Sequence, residues 1–179
     1  MLLKIFNHNA TGGVVGVFNA RHNPERPHAA IAGALRPTDV EAFVGERFAV
    51  WAHNAQTLQV MNRHDETALA LKPLEFEVFT IVAIHAGLAP IGLADMFNSG
   101  GAVLYHDASP DSATHVLGIR TGREGCGGAG PTFLAWSERK PKRVLVEGAA
   151  TPFTFDRSTG ALTLQISPGR QVCRMTITF

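Results

Sequence analysis

The stretch "GREGCGGAGPTFLAWS", residues 122–137, decides between two fold classes. Its Gly125, Gly127 and Gly130 have the spacing G-x-G-x-x-G, which in a dinucleotide-binding fold wraps a pyrophosphate. That chemistry needs a strand feeding the loop and a helix leaving it, because the helix N-terminus supplies the N–H groups and positive dipole end that hold phosphate. Here Gly130 runs into Pro131-Thr132-Phe133-Leu134-Ala135-Trp136-Ser137, which alternates like a strand and contains no helix start. The glycines therefore read as a strand connection that uses positive φ.

Outward from that loop the same period-two pattern recurs. Strands are expected at 114–120 and 132–137 on either side of it, then at 143–146, 153–156, 161–166 and 172–179. In the last of these Cys173, Met175, Ile177 and Phe179 share one parity, which marks Cys173 as a small core hydrophobe. Upstream, residues 3–7 and 14–19 read as a hairpin across the turn Asn9-Ala10-Thr11-Gly12-Gly13. Residues 48–53, 57–62 and 67–71 look like a meander, followed by the longest run, 76–84, whereas 14–19 is apolar on both faces and so central in a sheet. Residues 87–97 read as an irregular apolar segment, and a further strand is expected at 102–106. One helical signal stands apart: Thr38 and Glu41 have capping-box spacing, Pro37 precedes them and Gly45 supplies a stop. The sum is an all-β protein, an antiparallel β-sandwich of two packed sheets with at most one short helix, forming a single domain over residues 1–179.

Composition narrows the function classes. Sixteen basic and fifteen acidic residues leave a net charge of +1. The only basic run, Arg139-Lys140-Pro141-Lys142-Arg143, reads as a solvated turn between strands, so no nucleic-acid partner is expected. The opening Met1-Leu2-Leu3-Lys4-Ile5-Phe6 is too short for a signal peptide, and no apolar run is long enough to span a membrane. A soluble, cytoplasmic protein is the expectation. Two cysteines, Cys126 and Cys173, make neither a disulfide framework nor a zinc site.

No chemical motif emerges from the remaining residues. The eight histidines form no H-E-x-x-H, and His53 and His115 read as solvent-facing strand residues. Ser99 lacks the G-x-S-x-G elbow, Asp107 and Asp111 lack EF-hand spacing, and nothing specifies a pairing of Asp95 with Glu124 or Asp107. No cofactor or metal is implied. Trp51 and Trp136 are the candidates for stacking on a sugar ring, with core packing as the competing reading.

Several segments, taken in order, resemble one family. Leu2-Leu3-Lys4-Ile5-Phe6-Asn7 followed by Thr11-Gly12-Gly13-Val14-Val15-Gly16-Val17-Phe18-Asn19 is similar to the "LLKIWN…TGVVGVFN" stretch of raffinose synthases. Those belong with seed imbibition proteins and alkaline α-galactosidases to glycoside hydrolase family 36. Arg36-Pro37-Thr38-Asp39-Val40 resembles its R-P-x-D-V segment. Ala89-Pro90-Ile91-Gly92-Leu93 with Phe97-Asn98-Ser99-Gly100-Gly101-Ala102 resembles its "APIGL…NSGGA" block. Gly125-Cys126-Gly127, Trp136-Ser137 and Lys140-Pro141 resemble its "GCG…YSS…KP" segment. The chain departs at Phe6, where the family often has Trp, and in its short loop at 20–28.

The resemblance implies the C-terminal antiparallel β-domain that follows a catalytic (β/α)₈ barrel. The catalytic aspartates of such enzymes lie in the barrel, which takes about 250 residues, so no catalytic residue carries over. The implied role is a non-catalytic accessory domain covering the barrel flank, with the barrel as partner in cis or in trans. The implied parent reaction is hydrolysis or transfer of an α-galactosyl group. A free-standing galactoside-binding sandwich and a protein-interaction domain, the latter marked by an exposed apolar patch over residues 88–97, are the alternatives.

Overall fold

The structure is a computed structural model that describes residues 1–22, 25, 28–41, 43–122, 130–167 and 171–179. The glycine loop at 123–129, with Cys126, therefore lies outside the described residues. Every strand pairing is antiparallel. No helix among the described residues is long and apolar enough to cross a membrane.

The first sheet has the order β1 (Leu3–His8), β2 (Gly13–Phe18), β7 (Phe76–Ala83), β4 (Arg47–Ala52), β5 (Thr57–Asn62). A ribbon of β3 (Ile31–Leu35) and β6 (Thr67–Leu71) packs on one of its faces. The second large sheet runs β14 (Thr154–Asp156), β15 (Ala161–Gln165), β11 (Thr132–Ser137), β8 (Leu88–Leu93). The third runs β13 (Ala149–Ala150), β12 (Arg143–Val146), β16 (Val172–Thr178), β10 (Thr114–Arg120), β9 (Val103–Ala108).

The chain is the all-β antiparallel sandwich expected, and side-chain parity stacks its sheets into four layers where two packed sheets were expected. On β4, Phe48, Val50 and Ala52 face the β3–β6 ribbon, whereas Ala49 and Trp51 face the second sheet. On β11, Leu134 and Trp136 meet Ala49 and Trp51, whereas Phe133 and Ala135 face the third sheet. β2 lies between β1 and β7, the central position that the two-sided apolar character of residues 14–19 predicts.

The apolar segment expected to be irregular is strand β8, buried throughout. Its pairing with β11 skips Ile91: Gly92 lies opposite Leu134 and Pro90 opposite Ala135. This one-residue bulge lets Leu88 and Leu93, five positions apart, enter the same core. The helical signal yields a single 3₁₀ turn, Pro37–Asp39. Its cap is Asp39, whose carboxylate accepts the Arg36 N–H at 2.9 Å, in place of the Thr38–Glu41 pair expected. A second 3₁₀ turn spans Ser99–Ala102.

Candidate docking face and the family assignment

Trp51 and Trp136, the candidate sugar platforms, sit in the apolar layer between the first two sheets, each 7% exposed. The guanidinium of Arg47 lies 5.8 Å from the Trp136 ring. Stacking needs an open ring face, and burial in the interlayer leaves neither indole one. Core packing accounts for both.

The motif blocks around 9–13 and 89–103 converge in space, and packing explains them. Asn9 accepts the Thr11 and Gly12 N–H groups at 2.9 and 2.8 Å and reaches the Gly100 carbonyl at 3.2 Å. The Thr11 hydroxyl donates to the Val103 carbonyl. Ser99, fully buried, donates to the Met96 carbonyl at 2.7 Å, and its own carbonyl lies where a Cβ on Gly92 would sit. These residues tie the β1–β2 hairpin to the turn between β8 and β9.

The acidic candidates are likewise engaged in structure. The Asp95 carboxylate accepts the Thr132 N–H at 2.7 Å, holding β11 to the end of β8. Asp111 accepts the Ser109 hydroxyl and the Ala113 N–H in the β9–β10 turn, and the Ser109 bond leads the causes that hold its carboxyl below the usual range. Asp107 pairs across the ladder with Val116, and Glu124 lies outside the described residues. Among the described residues no group of three His, Cys, Asp or Glu is arranged to hold a metal ion.

Two histidines depart from expectation. His115 is fully buried, where a solvent-facing position was expected, because its parity on β10 is that of Leu117 and Ile119. Its Nδ1 shares a 2.9 Å hydrogen bond with Nε2 of His106, and the His85 ring stands edge-on to His106 with centroids 5.9 Å apart. Burial is the main cause that lowers both pKa values, with His115 and then His85 adding to it at His106, and His85 at His115. His53 packs at 4.4 Å between ring centroids against Phe97. Cys173 is buried, and desolvation pushes its thiol up to about 11, so it behaves as a core hydrophobe and not a nucleophile.

Part of the first sheet is left uncovered by the other described residues. The face of the first sheet that carries Trp51 continues past the second sheet onto Leu3 and Ile5 of β1, Phe18 of β2 and Phe76 of β7. Phe18 and Phe76 stack at 5.9 Å, and Phe76 meets Phe97 at 5.9 Å, so a row of rings borders this area. A shallow depression of about 280 Å³ lies among Leu3, Ile5, Phe18 and Leu74. The apolar patch anticipated over 88–97 is thus relocated: 88–93 is interior, and of the apolar residues in that segment only Met96 and Phe97 are exposed. The alternation of Leu3 and Ile5 with Lys4 was the sequence signal for it.

A family model described as "Raffinose synthase or seed imbibition protein Sip1" matches residues 1–166. A galactinol–sucrose galactosyltransferase of Oryza sativa subsp. japonica is 31% identical over 178 residues, which cover 87% of this chain and 22% of that protein. A probable galactinol–sucrose galactosyltransferase 6 of Arabidopsis thaliana is 30% identical, covering 92% of this chain and 24% of that protein. A stachyose synthase of Pisum sativum is 30% identical, covering 86% and 20%. The chain therefore spans about a fifth to a quarter of the length of these relatives. With that match running through the hairpin, the β8 block and the turn that locks them together, the chain belongs to the raffinose synthase or seed imbibition protein Sip1 family.

Proposed function

We propose that this chain is the non-catalytic, C-terminal accessory part of a raffinose-synthase-like or α-galactosidase-like enzyme, lying against the flank of a catalytic (β/α)₈ barrel. The observation that carries the reading is the asymmetry of coverage. The rice relative matches 87% of this chain, yet the match takes up only 22% of the rice protein. The chemistry of the parent would be transfer or hydrolysis of an α-galactosyl group by two carboxylates. Support also comes from the carboxylates of Asp95, Asp111 and Glu77, which are spent on backbone N–H groups. The test is an assay of the purified chain for galactosyl transfer from galactinol to sucrose and for hydrolysis of a chromogenic α-galactoside. No turnover above the protein-free blank is expected. Turnover abolished by a carboxylate substitution in this chain would overturn the proposal.

A further inference from the structure

We propose that the bare end of the first sheet, formed by Leu3, Ile5, Phe18, Leu74, Phe76 and Phe97, is the seat on which the remainder of a longer polypeptide of this family docks. This rests on the accessory reading above and adds which surface makes the contact. Half of this sheet face already serves as an interface, since Ala49, Trp51 and Val82 pack on the second sheet. The other half has the same apolar character and nothing covering it among the described residues. Ile5 is 57% exposed, Phe97 53% and Leu74 64%. Contiguous exposed apolar area of this kind marks a contact surface.

Leu74 extends the patch. Its φ is +67°, left-handed backbone that disfavours a residue with a Cβ. The strain is held in place from beneath. The Leu74 N–H donates to the Asn19 carbonyl at 2.8 Å, and the buried Asn19 amide donates to the Leu71 carbonyl at 2.9 Å. The positive φ belongs to the Lys72–Glu75 turn, closed by the Glu75 N–H on the Lys72 carbonyl at 3.0 Å. What the turn adds to this face is a leucine side chain held out at the rim of the apolar depression.

The partner's chemistry follows from what the face lacks. Leu3, Ile5 and Asn7 present no charge on this side of β1, and Lys4 points the other way to Asp39 at 2.6 Å. Lys72 and Glu75, the charged residues of the neighbouring turn, are bound to each other. A largely apolar, uncharged surface fits this face. The matched relatives carry roughly four times as much chain again as the part matched here, which supplies such a surface in the same polypeptide. β1 is also an edge strand, with one side of its backbone unpaired within the sheet.

The experiment replaces the matching segment of the rice galactosyltransferase with this chain and follows transfer activity and thermal unfolding of the chimera. Isolated chain carrying the same substitutions is the folding control. A docked chimera melts in one transition and is active. Ile5→Lys with Phe97→Asp splits the melt in two, with one transition at the midpoint of the isolated chain, while the isolated chain keeps its own midpoint. Leu74→Gly relieves strain, so it raises the isolated midpoint or leaves it unchanged while weakening the coupling in the chimera. If the substituted chimera keeps a single transition and full activity, the face is not the seat, although the accessory reading stands. If the unsubstituted chimera is inactive and melts in two transitions, the accessory reading fails and takes this inference with it. Dimers of the isolated chain in sedimentation velocity that Ile5→Lys dissociates would make a second copy the occupant and overturn the proposal.

Discussion

At Gly92 a single added carbon is incompatible with the fold. Its φ is +108°, and a Cβ there would lie 1.9 Å from the Ser99 carbonyl oxygen, which is backbone and cannot step aside. Gly122 has a similar φ of +93°, and among the described residues nothing lies within 4 Å of where its Cβ would sit. The two sites separate strain from collision. Gly122→Ala is expected to cost about 1 kcal/mol in urea unfolding, the left-handed penalty alone. Gly92→Ala should cost at least about 3 kcal/mol or abolish folding, because overpacking adds to the same penalty. Equal losses at both sites would show that the Gly92–Ser99 approach does not constrain the fold. Nothing in the sequence distinguishes these glycines. The block Ala89-Pro90-Ile91-Gly92-Leu93 was recognisable as a pattern, but its cause is a contact with a turn seven residues later. Asn19 shows the same limit: at 1% exposure its amide bridges to Leu71 across 52 residues, a role invisible to local reading.

Among the elements, legibility followed the regularity of the alternation. The strands Thr57–Asn62, Thr67–Leu71, Thr114–Arg120, Thr132–Ser137 and Arg143–Val146 have the bounds that period two implies. β3, Ile-Ala-Gly-Ala-Leu, escaped notice because small residues give little periodic contrast, and its partner β6 is distant in sequence. β8 escaped notice because Pro90, Gly92 and the bulge at Ile91 break the period that defines a strand. Pairing also decides the fate of His106 on β9 and His115 on β10. Two neutral imidazoles share their hydrogen bond as donor and acceptor, whereas two charged ones have only donors to offer. The folded pKa of His106 is lowered from 6.5 to about 4, and that of His115 is lowered too. Well above the ordinary value of 6.5 both states of the chain hold neutral rings, so the pair adds no pH dependence there. As pH falls from 6.5 towards 4, the unfolded chain takes up protons that the folded pair refuses, and stability drops. Each ring contributes at most about 1.4 kcal/mol per pH unit to that slope. Thermal midpoints should therefore decline across this window in the native chain and decline less in His106→Asn. Identical acid slopes in the two proteins would remove the pair as the cause.

For the molecule as a whole, the sequence specified antiparallel sheets but not how many layers they would form. Inward and outward parity is relative, and a strand apolar on both sides leaves open what lies beyond each. The middle layer, with Trp51, Val82, Ile91 and Trp136, joins the core around β4 and β7 to the core around β11 and β16. Trp51 tests that arrangement, since its indole N–H finds no acceptor among the described residues. A buried donor left unpaired costs about 1–3 kcal/mol, while the ring itself fills space between two sheets. Trp51→Ala is expected to lose about 3–5 kcal/mol by opening a cavity in the interlayer. Trp51→Phe keeps most of the ring and removes the unsatisfied donor, so its stability should stay within about 1 kcal/mol of the native chain. Denaturant titration of the two variants measures this ordering. A Trp51→Ala protein as stable as the native chain would place the indole outside the packed interior, and the four-layer arrangement would lose the contact that holds its halves together.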